Sequence, residues 1–324
     1  MFRRNKMKRY IKILTNLLAV LLLAIACVSM TGCKKEDIKT ATLKLQLYDF
    51  GGNKFYTESE VTMTIDLFGH LAPKTVEAVS KYINEGYYNN AIFYQMDVNG
   101  VKQIMVGNLL IDGDSVVADA DGNVNIKLNS IKPTLPGEFT NGGVVGSDLL
   151  NTKGSVGLWR DWNSNSDYTY STGVNTGRAT WFMLDAPQTR YDGCFCVFGQ
   201  FNLEDTANVT AFDALTKMFS TSDNYDEYKV FYTGEYDPSK PNCGLTFHCT
   251  TKERFTELKN LTEEEKENLS AEEREMANIF DSSDEKYDGV SCLYSYDSYT
   301  IRVPKNKDGK VSAVIKSASV TDKK

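Results

Sequence analysis

Ala179-Thr-Trp-Phe-Met-Leu-Asp-Ala-Pro-Gln-Thr-Arg-Tyr-Asp-Gly-Cys-Phe-Cys-Val-Phe-Gly-Gln-Phe201 is the stretch whose reading decides the fold. β-prone residues run from Thr180 to Leu184, breakers gather at Pro187 and Asp192-Gly193, and Phe195, Val197 and Phe198 lead up to Gly199. That pattern is two strands joined by a loop. Taken alone it specifies a β hairpin or meander and nothing more.

Upstream, Leu43, Leu45 and Leu47 alternate with polar residues, as do Val61, Met63, Ile65 and Leu67 beyond the turn-rich Phe50-Gly51-Gly52-Asn53. This predicts two half-buried strands paired as a hairpin. Ala72-Pro73-Lys74-Thr75-Val76-Glu77 opens a helix, with proline where its missing N–H costs nothing. Val76, Val79 and Ile83 share a face of that helix, and Gly86 ends it. Downstream, Ala211 to Phe219 predicts a second helix with Phe212, Leu215 and Phe219 on one side. Thr262-Glu-Glu-Glu265 and Ser270-Ala-Glu-Glu273 are capping boxes that open two short helices, with Leu269, Met276, Ile279 and Phe280 as their buried residues. The acidic residues between them read as a solvated helix face. Tyr299 to Val303 and Val311 to Val320 read as strands across a turn at Lys305 to Lys310.

The N-terminus bounds the compartment. Arg3, Arg4, Lys6, Lys8, Arg9 and Lys12 precede an apolar run from Leu17 to Val28, the arrangement of a secretory signal. Met30-Thr31-Gly32-Cys33 follows at once and resembles the lipobox of bacterial lipoproteins, although leucine is usual where Met30 stands. The resemblance implies lipidation of Cys33, a signal peptide over 1–32, a polar tether over 33–40 and a folded part held at the extracytoplasmic face of the cell membrane. An uncleaved anchor is the weaker alternative, because the run falls short of the ~20 residues a spanning helix needs. Removing residues 1–32 takes six basic and no acidic residues from totals of 36 and 43, leaving a chain at about −13, which argues against nucleic acid as a partner.

Beyond Cys27 and Cys33, the cysteines are Cys194, Cys196, Cys243, Cys249 and Cys292. Cys243 with Cys249 or with Cys292 is a plausible disulfide in an oxidising compartment. Strand alternation puts Cys194 and Cys196 on one face, with Phe195 on the other. Cys243, His248 and Cys249 lack the four closely spaced ligands of a structural zinc site, so no metal is expected.

Four stretches together resemble the cyclophilin family of peptidyl-prolyl cis-trans isomerases. Ala72-Pro-Lys-Thr-Val-Glu77 and Gly86-Tyr-Tyr-Asn-Asn-Ala-Ile-Phe93 are similar to the family's Ala-Pro-Lys-Thr-Val-Glu-Asn-Phe and Gly-Tyr-Tyr-Asp-Gly-Thr-Ile-Phe-His-Arg. Lys153 to Arg160 is similar to its Gly-x-Val-Ser-Met-Ala strand, and the opening stretch to its Ser-Gln-Phe-Phe-Ile, Leu-Asp-Gly and Val-Phe-Gly. The resemblance implies a mostly β fold with helices: a closed antiparallel β-barrel over 41–220 capped by two helices. A helical acidic insertion over 221–290 then precedes closing strands in 291–324.

The same resemblance implies site residues and shows where they depart. Phe93 stands in place, but Tyr94-Gln95 occupies the family's His-Arg, so the catalytic arginine is replaced by Gln95. Gln103-Ile104-Met105-Val106-Gly107 takes the Phe-Met-x-Gln-Gly segment, with an alignment uncertain by one residue because the turn before it differs in length. Gln103 then replaces an aromatic and Val106 a glutamine. Thr180 takes the place of a second glutamine, Trp181 and Phe182 the paired phenylalanines, and Arg190 an aromatic. Tyr191 stands for the leucine and Phe195 for the pocket histidine. The proline slot expected on this basis is Phe182, Ile104 and Tyr191, and Arg190, or Arg178 from the long loop over 161–178, is a candidate to replace the missing guanidinium.

Two functions follow as expectations. One is a membrane-tethered prolyl isomerase, weakened by Gln95, acting on proline-containing peptides or exported proteins with no cofactor. The other is a peptide- or protein-binding module that kept the groove and lost turnover.

Overall fold

The computed structural model describes residues 37–47, 60–98, 101–140, 149–160, 173–233, 246–278, 299–306 and 308–323. Cys33, Cys243, Cys292 and the signal segment lie outside them, as do Ile279 and Phe280, most of the 161–178 loop and the side chain of Met276. Residues 38–324 belong to one unit.

The alternating leucines and their partners form β1 (Ile38–Gln46) and β2 (Glu60–Phe68), antiparallel with Leu43 opposite Met63 and Leu45 opposite Val61. The hairpin expected there is present in its register, and β1 starts within the stretch read as tether. The first helix, α1 (Pro73–Asn84), buries Val76, Val79 and Ile83, and Gly86 follows it at φ +76°, a left-handed conformation that favours glycine. The second, α2 (Thr206–Lys217), starts five residues earlier than its apolar face suggested. Asp205 sets that start by accepting from the backbone N–H of Ala207 and Asn208. Both helices pack into one core with Leu43, Met63, Ile65, Phe198, Phe201 and Trp181.

Between the helices run β3 (Tyr94–Val98), β4 (Val101–Val106), β7 (Ser155–Leu158), β8 (Trp181–Met183) and β9 (Cys196–Phe201), while β5 (Leu109–Ile111) and β6 (Ile126–Leu128) form a separate pair. The segment 221–290 contributes more than helices. It supplies β10 (Tyr225–Thr233) and β11 (Thr246–Thr251), followed by α3 (Lys252–Lys259), α4 (Glu263–Glu267) and α5 (Ala271–Asn278). Both capping boxes form. Thr262 and Glu265 exchange side-chain and backbone hydrogen bonds, and Ser270 and Glu273 do the same.

The chain ends with β12 (Tyr299–Pro304) and β13 (Val314–Asp322). The eleven strands of the main sheet follow the order β11-β10-β12-β3-β4-β8-β7-β9-β2-β1-β13.

That order corrects the expected closed barrel. The fold is mostly β with few helices, but the sheet is open, its end strands β11 and β13 sharing no pairing among the described residues. The reason is that β12 takes the outer edge of β3, with Ile301 opposite Met96 and Arg302 opposite Gln95. β13 is left to pair along β1 and to touch the chain just before β3, through an isolated bridge between Ile92 and Val314.

One distant contact fixes α1. Its N-cap residue Ala72 makes no side-chain cap, so the first-turn N–H groups of Lys74 and Thr75, which have no partner within the helix, donate instead to the buried Glu138 carboxylate at 3.0 and 2.8 Å. A carboxylate at a helix N-terminus also opposes the helix dipole. Glu138→Ala is expected to lower stability by about 1–3 kcal/mol, read as a fall in the urea midpoint at unchanged slope.

Candidate functional site

Strand register decides which candidate residues meet. Across β3, β4 and β8, Tyr94 faces Met105 and Met105 faces Phe182; Gln95 faces Ile104 and Ile104 faces Met183; Met96 faces Gln103. Residues directly opposite share a face and neighbours along a strand do not. Tyr94, Met96, Gln103, Met105 and Phe182 therefore lie on one side of the sheet, and Gln95, Ile104, Val106, Trp181 and Met183 on the other.

The first side holds an aromatic cluster. Phe182 lies edge-on to Phe195 at 5.2 Å and to Tyr191 at 6.2 Å, and Tyr191 and Phe195 are 4.9 Å apart. Trp159 stacks on Phe195 at 5.7 Å with 24° between the planes. Phe182 and Tyr191 are fully buried, and Phe195 is 2% exposed. Phe182 needs Gly157 opposite it: a Cβ there would come within 2.4 Å of the Phe182 ring.

Polar groups border the rings. Gln103 Nε2 donates to the Tyr191 hydroxyl at 2.7 Å, and the Tyr94 hydroxyl donates to Asn108 Oδ1 at 2.7 Å. Burial raises the Tyr191 hydroxyl pKa above its usual value, partly offset by the Gln103 hydrogen bond and the Arg190 guanidinium. Arg190 sits 5.5 Å over the Tyr191 ring. The buried Arg160 lies over Phe139 at 4.9 Å and Phe195 at 5.3 Å, its Nε donating to the Cys194 carbonyl at 2.8 Å.

The structure thus gathers Gln103, Phe182, Tyr191 and Phe195, with Arg190 beside them. Phe93, Ile104 and Val106 pack instead in the core beneath the helices, Phe93 edge-on to Trp181 at 5.8 Å. Thr180 is half-buried and accepts from the Trp159 N–H through its carbonyl. Arg178 points its Nη1 at the Lys132 carbonyl. Cys194 and Cys196, expected on one face, are divided between the two cores; Cys194 precedes β9, and the register of β9 on β7 shifts at Val156/Gly157. Burial pushes the Cys196 thiol up to about 12 and raises that of Cys249 as well. Among the described residues, no group of three or more His, Cys, Asp or Glu could hold a metal ion.

Sequence reasoning missed Met105 and Trp159 as neighbours of Phe182 and Arg160 as a neighbour of Phe195, although a signal for the strand pairing was available. Asn99-Gly100 is a two-residue hairpin dipeptide, which predicts Val98 opposite Val101 and hence Met96 opposite Gln103.

Gln95 has a different setting. Its Oε1 accepts from Arg302 Nη1 at 3.1 Å, and Arg302 Nε donates to Glu227 Oε1 at 3.1 Å. Register puts Glu227, Arg302 and Gln95 in one row across β10, β12 and β3. Burial works to raise the Glu227 pKa, but hydrogen bonds from Arg302 and Lys252 outweigh it and hold the carboxyl below its ordinary value of 4.5. A depressed carboxylate contributes stability above that ordinary value, and the contribution fades as pH falls through its folded pKa. Arg302→Ala is expected to cost about 1 kcal/mol at neutral pH, as befits a partly exposed pair, and less once the pH has fallen below 4.5 and through the depressed folded pKa of Glu227. Urea titrations of both proteins across that range check it.

Residues 54–229, more than half of the chain, match the family model described as cyclophilin type peptidyl-prolyl cis-trans isomerase/CLD. Two solved structures of a cyclophilin type peptidyl-prolyl cis-trans isomerase from Cryptosporidium parvum are similar. The one determined in the presence of the dipeptide Ala-Pro is 14% identical, covering 54% of this chain and 84% of that one with a TM-score of 0.32. The other is 13% identical, covering 66% and 94% with a TM-score of 0.34. No curated protein matches the chain.

Proposed function

Because the chain belongs to the cyclophilin-type peptidyl-prolyl cis-trans isomerase family, we propose that it is a prolyl isomerase of low turnover, held outside the cytoplasm by lipid on Cys33 and acting on proline-containing segments of exported proteins. Rotation about an X-Pro bond must break amide resonance against a barrier of roughly 18–20 kcal/mol. A catalyst needs an apolar slot for the ring, hydrogen bonds to the flanking backbone and a donor that favours the twisted amide over the planar one. The step moves no proton to the enzyme and forms no covalent bond to it, so it calls for no nucleophile, metal or cofactor.

The observation that carries this reading is the convergence of Phe182, Tyr191 and the Gln103 amide on one face of the sheet. Low turnover is supported by Gln95, which brings no charge to the family's arginine position, faces away from Phe182 and is engaged by Arg302. A missing transition-state donor of this kind costs on the order of 10²- to 10³-fold in rate. Arg190, beside Tyr191, is the guanidinium that we propose as partial compensation.

The expected result is exchange of a prolyl tetrapeptide, followed by NMR or a protease-coupled assay, that is detectable but at least about 100-fold below an ordinary cyclophilin, with a further fall in Arg190→Ala. A full cyclophilin rate would sink the low-turnover reading. The second function, a binding module without turnover, is favoured by Gln95, Val106, Thr180 and Phe195 standing where the family motif carries other residues; peptide binding without exchange would select it.

Membrane tethering rests on the basic start, the apolar run and Met30-Thr31-Gly32-Cys33. Cys33→Ser is expected to abolish labelling by radioactive palmitate and to release the protein from the membrane fraction. Unchanged labelling would remove the lipoprotein assignment.

A further inference from the structure

Building on the isomerase reading, we infer that Phe195 occupies the slot meant for a prolyl ring, so that the groove is closed by the protein's own side chain and opens when that ring leaves. Three observations carry this. Phe182 and Tyr191 stand edge-on with centroids 6.2 Å apart, and Phe195 lies against both, at 5.2 and 4.9 Å. These are ring-packing distances, so Phe195 takes the place of an incoming apolar ring. A prolyl ring is smaller than a phenyl ring and fits where Phe195 now sits.

The second observation is an acceptor that nothing satisfies. Gln103 is fully buried, its Nε2 tied to the Tyr191 hydroxyl, while its Oε1 accepts no hydrogen bond among the described residues. A buried carbonyl oxygen left without a donor is costly. The backbone N–H of a bound peptide supplies the donor that the plugged state lacks.

The third is that Phe195 can move without breaking the ladder. It lies just before β9, in a bend after Gly193, which has φ +71°. Trp159, stacked on its ring, and Arg160, 5.3 Å above it, hold the ring in place and are positioning residues for the plug.

Removing the plug gives a gain that a purely structural role does not. Phe195→Ala and Phe195→His are each expected to raise prolyl-tetrapeptide kcat/KM, and to tighten the peptide Kd measured by NMR titration, by at least about tenfold over wild type. That factor is a modest return for freeing an apolar slot. Both variants should also melt at a lower temperature. Phe201→Ala, equally buried but in the other core, should lower the melting temperature with no gain in either quantity. Adding Gln103→Leu to Phe195→Ala should take the gain back.

If either Phe195 variant unfolds cooperatively and yet binds and turns over no better than wild type, the plug is refuted. Measurable turnover in wild type alongside that result leaves the isomerase reading standing. Absence of both binding and exchange in wild type and in the variants overturns the two together.

Discussion

Two residue pairs, Ile301 against Met96 and Arg302 against Gln95, join the C-terminal strands to the family portion of the sheet, and much else depends on that seam. A strand edge can pair only once, so β12 at the edge of β3 excludes β13 from it, and the sheet stays open. The seam also consumes the side chain at the family's arginine position. Gln95 is short enough to let the Arg302 guanidinium lie opposite it, and Glu227 on the next strand balances the charge. A second cation at position 95 would have to sit against Arg302 in the same row. Gln95 therefore has a structural counterpart on the neighbouring strand.

The same seam extends the apolar layer over the face that carries Phe182. Tyr228, Val230, Ile301 and Val303, all from strands added at this edge, belong to one buried cluster with Phe182, Tyr191 and Phe195. Fully burying an aromatic or large aliphatic side chain stabilises a fold by about 1.5–3 kcal/mol, so covering this face is favourable whatever it does to access. Stability and openness pull against each other at this position. In the described conformation the rings are covered.

Local chemistry made some of this legible in the sequence. Pro73 and Gly86 bracket α1, the alternating leucines of β1 meet their partners in register, and the Thr262 and Ser270 capping boxes form as their spacing predicts. What failed depended on pairing between distant segments. Resemblance to a family supplied a slot of Phe182, Ile104 and Tyr191, but an offset of one residue in β4 moves every side chain to the other face, and Met105 rather than Ile104 stands beside Phe182. The Tyr228, Val230 and Tyr232 alternation in β10 went unread because the motifs that carry the resemblance end at Gly199. Arg302 lies in none of the motifs that carry the resemblance and became relevant only once β12 was laid against β3.

The pairing of β1 with β13, which sets Lys39 opposite Asp322 and Leu43 opposite Ala318, has a consequence for how the molecule is made. β1 and β13 are neighbours although far apart in sequence, so one edge of β1 stays bare until the Val314–Asp322 segment has been made. Contacts of such long sequence separation must meet a large loop-closure cost before they give anything back, which slows folding and leaves partly built sheets exposed to wrong partners. The sheet therefore cannot be completed strand by strand in the order in which the residues are joined.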